Sequence, residues 1–95
     1  MARFDVAHVR EQDINMIIVV VGASFGTKPK ADQSRIVDAL QLCAAQAGLA
    51  GTVVPVWEGQ GGRMGYLAPS EWNGYFARLT LEEITRHVNR KLECA

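Results

Sequence analysis

Two apolar stretches, each doubling back through a polar turn and each followed by a helical stripe, organise this chain. Phe4 to Val9 can form a first strand, with Glu11-Gln12-Asp13 as its turn. Asn15 to Val21 form a second, with Met16, Ile18 and Val20 on one face and Ile17, Val19 and Val21 on the other. A strand that is apolar on both faces is buried on both, so this one belongs inside a sheet. The loop Gly22 to Pro29 then leads into a helix reaching Ala47. Its stripe is Ile36, Val37, Leu40, Cys43, Ala44 and Ala47, and Gly48 suits the left-handed residue that ends it.

Thr52 to Trp57 read as a third strand. Pro55 cannot donate a ladder hydrogen bond, which places this strand at a sheet edge. Gly59-Gln60-Gly61-Gly62 make a hairpin turn, and Arg63 to Ala68 return as a fourth strand. Pro69-Ser70 open a short helical segment running through Arg78. Thr80 and Glu83 then form a capping box, with Leu79 and Ile84 placed as its hydrophobic staple. The final helix carries Leu81, Ile84, Val88 and Leu92 on its buried side and Glu82, Arg86 and Arg90 on its exposed side.

The expected fold is therefore one α+β domain over residues 1–95, in the order ββαββα. The pattern predicts a two-layer sandwich, a four-stranded mixed sheet of order 1-2-4-3 with both helices on one face. Its second and fourth strands would be central and parallel. That arrangement resembles a permuted ferredoxin-like sandwich, with the last strand moved to the front. The two ββα halves echo each other in periodicity, but their side chains share little identity. The echo constrains topology and leaves duplication open.

Composition narrows the classes of function. Hydrophobic residues make up 48% and charged residues 21%, the balance of a chain that folds. The formal net charge is zero, so the basic excess of a nucleic-acid binder is missing and copies do not repel one another. The longest apolar run, Met16 to Val21, falls far short of the ~20 residues a membrane helix takes. No apolar run of signal-peptide length opens the chain, so a cytoplasmic protein without membrane contact is expected. Cys43 and Cys94 fit a reducing compartment, Cys43 as a small core group and Cys94 as a frayed residue near the end. A bridge between them is open but not indicated.

Chemistry-bearing patterns are few. The segment Gly22 to Lys28, GASFGTK, follows a buried strand and precedes a helix, yet a phosphate loop needs four residues between its glycines and this has three. Pro29 also removes an amide that an anion would use, so a plain connector is expected, with Thr27, Lys28 and Lys30 as the residues for any weak anion contact. His8 and His87 lack metal-ligand partners at fixed spacing, so neither a metal site nor a cofactor is expected. No serine lies in a nucleophile elbow and no carboxylates are paired, so no catalytic constellation is expected.

The hairpin Trp57 to Arg63 stands out, with three glycines flanked by an aromatic, a carboxylate and a guanidinium. We read Trp57, Glu58, Gln60 and Arg63, with Trp72 beyond the sheet, as residues that contact a ligand or partner. The plainer reading is a turn that needs positive φ, with Glu58 and Arg63 paired across it. Trp72 and Phe76, at helical spacing, also fit a core lid. With two helices on one face, the doubly apolar second strand leaves the other face to be covered by residues 70–78, by a second copy or by a partner. The leading expectation is thus a non-catalytic module, a homodimer or a binder of a protein partner, acting through the sheet face and the hairpin. The alternative is a ligand-binding or catalytic pocket where His8, Trp57, Glu58 and Arg63 converge.

Overall fold

A computed structural model describes residues 2–94. Five strands form one mixed sheet: β1 (Ala2–Glu11), β2 (Ile14–Val20), β3 (Thr52–Glu58), β4 (Met64–Tyr66) and β5 (Arg90–Cys94). Their order is β4-β3-β2-β1-β5, with β2 and β3 parallel and every other neighbouring pair antiparallel. Three helices join them: α1 (Lys30–Gln46), α2 (Asn73–Ala77) and α3 (Leu81–Arg86).

The α+β class and the mixed sheet hold, whereas four strands in the order 1-2-4-3 do not. β3, not β4, lies beside β2. Val53, Val54, Pro55 and Val56 are all buried, so β3 is apolar on both faces and is driven inside the sheet. Pro55 tolerates this position because of the side its nitrogen faces. Val21 N–H donates to Val56 O on the β2 side, and Leu67 N–H donates to Pro55 O on the β4 side. The donor missing at Pro55 therefore points where β4 has already ended at Tyr66. Proline marks the end of a neighbour and not the edge of the sheet.

The final helix is also shorter than its periodicity predicts. The capping box at Thr80 forms as expected: its hydroxyl accepts from Glu83 N–H, and the Glu83 carboxylate accepts from Thr80 N–H. The helix nevertheless stops at Arg86, and Leu92 is buried in a strand. Asn89 makes the corner. Its side-chain carbonyl accepts from His8 N–H at 2.9 Å and its amide donates to His8 O at 3.0 Å, while its own N–H donates to Val6 O. One side chain thus extends the β5–β1 ladder past its last residue pair.

Both faces of the sheet are covered. The long helix α1 lies on one, packing Leu40 and Ala44 against Val6, Ile17, Val19, Val53 and Leu92. On the other, Phe76 of α2 and Ile84 of α3 pack against Ala7, Met16, Ile18, Val54 and Val56. Of the three covers expected for this face, it is residues 70–78, with Trp72, Tyr75 and Phe76, that close it, joined by Ile84 of α3.

The cysteines require a further correction. Cys43 of α1 and Cys94 of β5 form a disulfide with Cα atoms 5.8 Å apart, so neither is a free thiol and Cys94 is not frayed. The helical spacing of the last residues conceals the pairing, which depends on a strand at Arg90–Cys94 to bring Cys94 beside α1. Among the described residues no helix is long and apolar enough to cross a membrane.

Candidate functional site

The glycine-rich hairpin is built as its sequence demands. β3 and β4 pair Val56 with Tyr66, Trp57 with Gly65 and Glu58 with Met64. Gly59 N–H donates to Arg63 O to close the turn, in which Gly61 (φ 68°) and Gly62 (φ 77°) are left-handed. Side chains rarely adopt that conformation, so the glycines answer a backbone requirement. The tip stands in open space, with Glu58, Gln60, Gly61, Gly62 and Arg63 exposed. Glu58 lies opposite Met64, and the ion pairs among the described residues are all elsewhere, so the expected Glu58–Arg63 pair does not form.

Trp57 is half-buried and holds the hairpin to the body of the molecule. Its ring packs on Phe25 with centroids 4.9 Å apart. A Cβ at Gly26 or at Gly65 would overlap the indole, so both glycines make room for it. Gly26 belongs to the single helical turn Ala23–Thr27, which is a packed connector: Phe25 is buried, and the Gln33 amide donates to Phe25 O at 2.9 Å. The GASFGTK segment therefore turns its apolar residue inward to meet Trp57.

Trp72 does not join this site. Residues two apart on a strand share a face, so Trp57 lies with Val53 and Pro55 on the α1 side. Trp72 packs on the opposite side, against the cluster that holds Val56 and Phe76. There Tyr66 stacks on Phe76 at 5.5 Å and Tyr75 meets Phe76 edge-on at 5.2 Å. Burial, reinforced by the Glu11 carboxylate, holds the Tyr75 hydroxyl above its ordinary pKa of 10.0.

His8 is not brought to the hairpin either. It is level with Ile17 of β2 and hence with Val53 of β3. Glu58 lies five residues further along β3, and two strand spacings separate them across the sheet, so their Cα atoms are roughly 20 Å apart. The His8 Nε2 instead lies 2.8 Å from Ala50 O, tying β1 to the loop that ends at β3. A groove of about 470 Å³ lies between α1 and the segment after β4, lined by Lys30, Gln33, Ser34, Val37, Leu67 and Pro69 among others. His8, Trp57, Glu58 and Arg63 do not line it.

Sequence reasoning missed what surrounds the hairpin. β4 is the outermost strand on its side. Arg63 O accepts from Gly59 and Leu67 N–H donates to Pro55, so residues 63, 65 and 67 direct their backbone groups at β3. Alternation then sends the N–H and C=O of Met64 and Tyr66 outward. No protein family, no curated protein and no solved structure matches this chain.

Proposed function

We propose that this protein is a non-catalytic module that self-associates through the glycine-rich hairpin, by pairing the outer edge of β4 with the same edge of a second copy. The observation that carries this reading is the open edge at Met64 and Tyr66, beside an exposed tip and outside a sheet whose faces are both covered. An antiparallel pair centred on Gly65 sets Met64 opposite Tyr66 of the second copy, so each outward N–H meets an outward carbonyl. Zero net charge adds no repulsion between copies. Glu58, Gln60 and Arg63 then flank the contact, while Trp57 supports it from behind.

Light scattering after size exclusion, across a concentration series into the high micromolar range, tests it. The wild type is expected to dimerise and Met64→Pro to remain monomeric. That substitution removes an outward donor and leaves the β3–β4 bonds in place, because the Met64 amide does not point at β3. A wild type that stays monomeric throughout would refute self-association.

A further inference from the structure

We infer that the Cys43–Cys94 bond is a thiol–disulfide exchange site, opened by a dithiol reductant and acting as a latch on the C-terminal edge strand. The bridge lies beside an open groove of about 700 Å³ between α1 and the β1–β5 edge, lined by both cysteines with Phe4, Ile36 and Leu42. Both cysteines are half-buried at the rim of the core beneath α1, not sealed within it. Leu42 beside them is 62% exposed, so the wall of the groove is open to solvent. A small thiol can reach the bridge without first unfolding the protein.

The position of the bridge gives the reaction a structural consequence. Among the described residues, β5 pairs with no strand but β1. Its cross-strand ion pairs, Lys91–Asp5 and Arg3–Glu93, are on exposed side chains and hold it weakly. Leu92 is its one buried side chain. The disulfide alone ties β5 covalently to α1, across 51 residues of sequence.

The exchange balances in two steps. One thiolate of the dithiol attacks a bridge sulfur, a mixed disulfide forms, and the other sulfur leaves as a thiolate that takes a proton. The second thiol of the reagent, losing its proton, then displaces the remaining protein sulfur, closing the reagent's own disulfide. The protein gains two electrons and two protons as the thiols of Cys43 and Cys94, and the dithiol loses the same. Oxidation by the disulfide form of such a reagent reverses both steps.

Native protein, in buffer without denaturant, is treated with a concentration series of dithiothreitol, quenched with iodoacetamide and weighed by mass spectrometry. The expected result is a reduction rate proportional to dithiothreitol, ending at two alkylated thiols. Hydrogen exchange of the reduced protein is then expected to speed up by about tenfold or more at Arg90–Cys94 and at residues 2–6, while β2 and β3 keep their protection. A rate independent of dithiothreitol would show that only unfolded chains react, and would overturn the proposal. So would unchanged exchange at β5, or loss of protection throughout the sheet on reduction. The double variant Cys43→Ser with Cys94→Ser is expected to reproduce the exchange pattern of the reduced protein.

Discussion

The two edges of the sheet are held by opposite means. β5 is anchored by its ends and its charges: a disulfide at Cys94, an amide bracket at Asn89, and ion pairs that match the register, Arg3 opposite Glu93 and Asp5 opposite Lys91. β4 has no disulfide or ion pair. It is three residues long, it ends where Pro55 withholds a donor, and a tryptophan laid across Gly65 pins it down. Charged side chains on an edge strand discourage pairing with other molecules. An edge of Met, Gly and Tyr carries no such protection, and only its shortness limits what can add to it. One edge is defended by chemistry and the other by length.

Unequal costs of removal would sharpen that contrast. Taking away the disulfide, by Cys43→Ser with Cys94→Ser, is expected to cost the most, about 4 kcal/mol on the loop-closure estimate for its span, read from urea denaturation. Trp57→Ala should come next, at about 3 kcal/mol, with faster exchange in β3, β4 and the Ala23–Thr27 turn. Gly65→Ala should weaken the same region by displacing the indole, and a Gly65→Ala protein as stable as wild type would refute the clamp. Asn89→Ala should cost about 1 kcal/mol and free the amide of His8, since it removes a paired donor and acceptor. Lys91→Ala should change stability by less than about 0.5 kcal/mol, because its ion pair is exposed. If the ion pair proved to outweigh the disulfide, the defended edge would be electrostatic and not covalent.

Alkaline pH acts on the α2 cover of the sheet, where Tyr75 meets Phe76. Tyr75 is held above its ordinary pKa in the folded protein, so the unfolded chain ionises first. Its contribution is complete below pH 10.0 and declines as pH rises towards the folded value. Tyr75→Phe should flatten the alkaline limb of a stability profile measured by thermal melting.

Much of the architecture could be read from local chemistry. β1, β2, α1, the hairpin glycines and the Thr80–Glu83 capping box all follow from patterns a few residues long. β5 escaped because Leu81, Ile84, Val88 and Leu92 satisfy helical spacing, and the competing alternation of Lys91, Leu92, Glu93 and Cys94 is only four residues long. A usable signal was nonetheless present. Arg3 and Asp5 are the antiparallel charge complement of Glu93 and Lys91. Pro55 does withhold a donor, but the edge position inferred from it fails, because sequence does not say which side of a strand a nitrogen will face. The candidate site was legible as an exposed hairpin. The seat of Trp57 was not, because Gly65 meets the indole only through the β3–β4 register and Gly26 only once the connector between β2 and α1 has packed beside β3.

The placement of the two tryptophans equips the molecule to report on itself optically. Trp57 and Trp72 lie on opposite faces of one sheet, so each indole senses the cover on its own side. Release of the indole from Phe25 would expose Trp57 to water and shift its emission to the red, with a smaller effect on Trp72 across the sheet. Retreat of the α2 segment would do the reverse. With Phe substituted at one position or the other, intrinsic fluorescence would resolve which layer separates first, without any attached label.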